Sequence, residues 1–140
     1  MSLAPLRFDH AGYAVDSIER TLNSFLRPLF QPQHVGSIIA DPIQKVRVCF
    51  VSLVGDVRLE LIEPLGPDSP ISRLLTSGRG GLYHCCFIAD QLDDHIAAFV
   101  ARGCAIASKP QPATAYEGRR VAFLFGPETG LFELVEASGK

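Results

Sequence analysis

Residues 57–65 read VRLELIEPL, and the core of that stretch, LELIE at 59–63, returns later in the chain as FELVE at 132–136. Apolar and charged residues alternate through the first copy with a period of two, the signature of a strand whose two faces differ. Leu59 and Leu61 fall on one face; Arg58, Glu60 and Ile62 fall on the other. A carboxylate buried alone costs several kcal/mol unless it is paired, hydrogen-bonded or bound to a metal. The pattern therefore predicts that something holds Glu60.

Working outward, the same recurrence extends through most of the sequence. FDHAGYAV at 8–15 reads as a strand, and DSIERTLNSFLRPL after it reads as a helix with Ile18, Leu22, Phe25, Leu26 and Leu29 as its apolar stripe. Asp16 followed three residues later by Glu19 resembles a capping box. GLYHCCFIAD is again a strand, and QLDDHIAAFVARG is again a helix, with Leu92, Ile96, Phe99 and Val100 on one stripe and Gly103 as a left-handed stop. At one constant offset, Asp16, Ile18, Leu22, Phe25 and Leu26 map onto Asp90, Leu92, Ile96, Phe99 and Val100, and His10 maps onto His84. One residue is then lost, and RVCF at 47–50 maps onto RVAF at 120–123. Each half reads as strand, helix and three strands: module one over about 6–64, a connection over 65–80, module two over about 81–137. In the connection, DSPISRLL reads as a short helix with Pro70 in its first turn.

The 140 residues fit one ordinary domain, with 47% apolar and 20% charged residues, enough to bury a core without disulfides. Scattered basic residues and a net charge of -2 argue against nucleic acid as the main partner, and neither phosphate-loop nor GxGxxG spacing occurs. No apolar run is long enough to span a bilayer, and MSLAPLRF lacks the pattern of a signal peptide, so a cytoplasmic, non-membrane protein is expected. Cys49, Cys85, Cys86 and Cys104 form no CxxC pair and read as reduced, mostly buried thiols.

The repeat supplies the partner for Glu60. It places a histidine in the first strand of each half and a glutamate in the last strand of each: His10 and Glu60, His84 and Glu133. If the two halves curl toward a shared cleft, two imidazoles and two carboxylates meet, a donor set that suits Mn, Fe, Co, Ni or Zn. Glu63 and Glu136 have the opposite parity and are left out, and His95, beside Asp93 and Asp94, reads as part of a solvated helix face. The irregular stretch around His34 assigns it no role.

These residues resemble a known family. DHAGYAV is similar to the DHxGxAV opening, ELIEPLGPDSPISRLL to the ELLEPLGxDSPIxxFL segment and GLYHCCF to the GLHHxxF strand of the methylmalonyl-CoA epimerase branch of the vicinal oxygen chelate (glyoxalase/bleomycin resistance/dioxygenase) superfamily. The resemblance implies an α+β fold in which two tandem βαβββ modules form a curved, partly open mixed sheet around a metal cleft. It implies a divalent metal, with Co, Ni, Zn, Mn and Fe all eligible, held by His10, Glu60, His84 and Glu133, although many epimerases carry glutamine where Glu60 stands. The implied reaction removes the proton alpha to a carbonyl or thioester of a small-molecule substrate such as an acyl-CoA, with Glu133 as a base that doubles as a ligand. A homodimer is expected, since sheet edges of this kind pair.

Two segments depart from that branch. IQKVRV at 43–48 replaces EQGVxE, so Val48 stands where a candidate base is expected and cannot take a proton. FLFGPETGLFELVE at 123–136 has a glyoxalase-like short turn, with Phe125 where a histidine is expected and Glu128 near an expected lysine. These departures support one alternative, a glyoxalase-I-type or pathway-specific enzyme; a further alternative, a non-catalytic binding protein of the resistance type, has the retention of all four candidate ligands against it. No substrate-binding residue is assigned from sequence.

Overall fold

The structure, a computed structural model, describes residues 2–139. Among the described residues, nine strands and few helices make an α+β chain, in the order strand, helix and strands, twice over. Two compact units result, His10–Tyr83 and Met1–Asp9 with His84–Lys140. Among the described residues, no helix is long and apolar enough to cross a membrane.

In the first unit β1 (Arg7–Ala14) lies parallel to β5 (Val57–Pro64), and β5 is antiparallel to β4 (Val46–Leu53). The outer strand is split into β2 (His34–Val35) and β3 (Ile39–Asp41), both paired with β4, and Gly36 N donates to Phe50 O at 2.8 Å between them. A Cβ on Gly36 would stand 3.1 Å from that carbonyl oxygen, so the close approach favours glycine. Odd-numbered β4 and β5 residues Cys49, Val51, Leu53, Leu59 and Leu61 join Ile18, Leu22 and Leu26 in one apolar cluster. Burying a leucine such as Leu61 contributes about 2 kcal/mol. The other face of the same strands is thereby reserved for Phe50 and Glu60.

The helix over this cluster differs from the α-helix expected. Ser17, not Asp16, caps it, its Oγ accepting from Arg20 N at 3.1 Å. After α1 (Ile18–Thr21) the chain widens into a π-helix over Leu22–Phe30, closed by Gln31 N donating to Leu26 O five residues back. Pro28 lies inside it and has no N–H to give an ordinary helical bond. In the wider turn residues four apart line up, so Ile18, Leu22 and Leu26 are buried. Phe25 and Leu29, each three past a buried position, are 57% and 72% exposed, which corrects the expected stripe.

The second unit repeats the plan: β6 (Gly81–Ala89) parallel to β9 (Gly130–Glu136), then β8 (Arg120–Gly126) and β7 (Ala105–Pro112) antiparallel outward. Bulges interrupt β7, which carries Lys109, Pro110 and Pro112. Helix α3 (Leu92–Ala101) buries Leu92 and Ile96, and Phe99 packs against them, whereas Val100 is exposed. Gly103 ends it at φ +100° as expected. In the connection, α2 (Ser72–Thr76) starts after Ile71, so Pro70 precedes the helix instead of occupying its first turn.

Candidate functional site

Parallel pairing puts Gly12 beside Glu60 and antiparallel pairing puts Phe50 beside Glu60, which brings three strands of the first unit to one place. His10 is fully buried there, and its Nε2 lies 3.0 Å from Glu60 Oε1. Its ring packs edge-on against Phe50, centroids 5.3 Å apart at 74°. The second unit repeats the arrangement: Cys86 and Phe123 flank Glu133 in register, and His84 Nε2 lies 3.0 Å from Glu133 Oε1. The His84 ring meets Phe123 at 5.2 Å and 88°. The partner predicted for Glu60 is thus the histidine of its own module, and Glu133 has the same kind of partner. The Arg58 guanidinium stacks over the Phe50 ring at 4.0 Å.

All four site residues are buried, and in each pair an imidazole nitrogen faces a carboxylate oxygen at 3.0 Å. Such a contact needs a proton or a cation between the two atoms. A borderline divalent ion accepts both atom types, so the donor chemistry fits a transition metal. The edge-on aromatic ring fixes each imidazole plane and keeps water from its flank. Sequence reading missed that Phe50 and Phe123 pack on the two imidazoles, although RVCF and RVAF marked them by their common place in the repeat.

The glutamates excluded by parity have a different task, again carried out twice. Arg47 Nη1 donates to Glu63 Oε2 at 2.7 Å and its Nη2 reaches Glu19 at 3.4 Å. Glu63 Oε1 accepts from Ile18 N at 2.8 Å, tying the helix start to the sheet. Arg120 likewise bridges Glu136 at 2.8 Å and Asp93 at 3.1 Å. Its hydrogen bonds hold the Glu136 carboxyl below the usual range, and those same carboxylates keep Arg47 and Arg120 firmly charged. Burial pushes the Cys49 thiol up, so it stays protonated beside Gly36 O at 3.3 Å.

His95 corrects the expected solvated face. It is buried, with Nδ1 2.9 Å from Gln91 O and Nε2 3.0 Å from Ala4 O, so it ties the chain start to α3. His34 is exposed on β2. Val48 is buried opposite Ile62, on the strand face shared with Phe50. Among the described residues the four cysteines form no disulfide; Cys49 and Cys86 are buried and the other two partly so.

A duplicated βαβββ unit with a buried His–Glu pair in each copy defines a class, and the chain belongs to the Glyoxalase/Bleomycin resistance protein/Dioxygenase superfamily, whose family model matches residues 9–123. Among relatives, it is 32% identical over 134 residues to the mitochondrial methylmalonyl-CoA epimerase of Mus musculus, covering 94% of this chain and 73% of that one. It is 33% identical over 135 residues to the uncharacterized protein YqjC of Bacillus subtilis (strain 168), covering 95% and 94%. The solved methylmalonyl-CoA epimerase from Mycobacterium tuberculosis shares the fold at a TM-score of 0.80 and 20% identity, over 95% of this chain and 89% of that one.

Proposed function

We propose that this protein is a divalent-metal-dependent epimerase that removes the proton alpha to the thioester carbonyl of a methylmalonyl-type acyl-CoA. The observation that carries the reading is the pair of buried His–Glu contacts at matched places in a chain whose relatives include methylmalonyl-CoA epimerases. In this reading His10, Glu60, His84 and Glu133 hold one ion together, each offering one ligand atom. When bound, the ion supplies Lewis-acid stabilisation of the negative charge that deprotonation places on the carbonyl oxygen. The Glu133 carboxylate takes the alpha proton, and its burial keeps water from quenching the carbanion. Val48 has no proton to give, so return of a proton to the opposite face falls to a group outside that β4 position.

Proton NMR of methylmalonyl-CoA in deuterium oxide tests this, using metal-stripped protein, cobalt-reconstituted protein and cobalt-reconstituted His84→Ala. Alpha-proton exchange above the protein-free background that requires both cobalt and His84 is expected. Stoichiometric cobalt binding without exchange would remove this substrate. A second reading, a glyoxalase-I-type isomerase, is favoured by Val48 and by the tight 127–129 turn, across which Gly126 pairs with Gly130. Turnover of the glutathione hemithioacetal of methylglyoxal, without exchange on the acyl-CoA, would select it.

A further inference from the structure

The strand face that carries Glu133 in the second unit continues into residues unlike those at the matching places of the first. Beyond Phe50 and Glu60 the next register pair is Ser52 and Arg58. Beyond Phe123 and Glu133 it is Phe125 and Leu131, with Ala105 of β7 opposite Phe125 on its other side. β8 and β9 pair without a shift from Val121 and Val135 to Gly126 and Gly130, so Phe125 and Leu131 keep the face of Phe123 and Glu133. Duplication did not dictate this row, since the second module is apolar where the first carries a hydroxyl and a guanidinium.

The row is not part of the core. That core lies on the opposite face, where Leu124 and Phe132 are buried with Leu92 and Ile96 of α3. Phe125, one residue along from Leu124, is 53% exposed, and Leu131 is half-buried. A ring left half in water beside a leucine gains by taking an apolar group. Ala105, Phe125 and Leu131 carry no side-chain donor or acceptor, so a carboxylate or hydroxyl laid on them would lose water without gaining a hydrogen bond. Distance sets the size of the group. Side chains two apart on a strand stand about 7 Å apart and neighbouring strands about 4.8 Å, so the Phe125 position lies roughly 8 Å from that of Glu133. A methyl on the carbon that Glu133 deprotonates stops well short of it, whereas a chain of about four carbons closes to the contact distance of about 4 Å.

We propose that Ala105, Phe125 and Leu131 form a shelf that takes the apolar substituent of the carbon deprotonated by Glu133, selecting a four-carbon chain over a methyl there. The proposal rests on the acyl-CoA reading above and deepens it. The experiment is calorimetric binding of methylmalonyl-CoA and of butylmalonyl-CoA, in which a four-carbon chain replaces the methyl, to cobalt-loaded wild type, Phe125→Thr and Phe125→Leu. Wild type is expected to prefer butylmalonyl-CoA by about 10-fold, the range for three methylenes half-covered on an open surface. Phe125→Thr should cut that ratio to about threefold or less, and Phe125→Leu, which stays apolar, should keep most of it.

No preference for the longer chain in a wild type that still exchanges the alpha proton of methylmalonyl-CoA overturns the shelf and leaves the epimerase reading standing. An unchanged ratio in Phe125→Thr, including equal loss of affinity for both thioesters, also overturns it and puts the ring under a part common to both ligands or under none. Failure of wild type to bind either thioester overturns both readings.

Discussion

Single residues show where local chemistry decides the outcome. Lys45 is held at φ +61°, a left-handed conformation that a side chain makes costly, and its Nζ reaches Asp68 Oδ2 at 3.0 Å. Lys45→Gly and Lys45→Ala both delete that exposed ion pair, so their difference isolates the backbone. Urea denaturation should find the glycine variant more stable by about 1 kcal/mol, in spite of glycine's freer unfolded chain. At this scale Glu60 was readable because a charge in an apolar alternating strand demands a partner, and the repeat named His10 and His84 as candidates. His95 was not readable: its partners are two backbone carbonyls, and one of them belongs to Ala4, far away in sequence. Phe50 and Phe123 were visible only as letters of a repeat, since an aromatic in a strand reads as core whether it packs on leucine or on imidazole.

At the scale of elements, the repeated arginine clamp joins each helix start to its sheet. Glu136 is kept below the usual carboxylate range chiefly by its hydrogen bond from Arg120. Its folded value lies below its unfolded one, so the stabilisation is complete above the unfolded value of about 4.3 and is lost as pH falls through the folded value. Unfolding free energies measured from pH 7 down to pH 2 should therefore show Glu136→Gln less stable than wild type at neutral pH by under about 1 kcal/mol, since the pair is partly exposed and screened. The gap should close in acid. A gap that widened as pH fell would contradict the clamp. Element order was legible because the apolar period switches from two to helical and back. The π-helix was not, because Leu22 and Leu26 suit either kind of turn and only the wider one explains the exposure of Phe25 and Leu29.

For the whole molecule, duplication is the dominant fact, and it was legible because the same chemistry recurs at one offset, short of a single lost residue, from His10 through Glu136. Which residues break the symmetry was harder to see, since Arg58 against Leu131 gains meaning only once the strand registers are known. Two buried pairs allow one shared ion or two separate ones, and the proposed function requires one. Titration of metal-stripped protein with cobalt, followed by visible absorbance, should saturate at one equivalent per chain, and alanine at His10 or His84 should each abolish the same band. Saturation at two equivalents, with each variant losing one, would refute sharing. The outermost strands carry a separate consequence. In the first unit the rim is cut into pieces of two and three residues, and in the second it is bulged and bears Lys109, Pro110 and Pro112. Neither rim presents a long run of unpaired amides, so runaway strand addition between crowded copies, the first step toward fibrils, finds no template on either border.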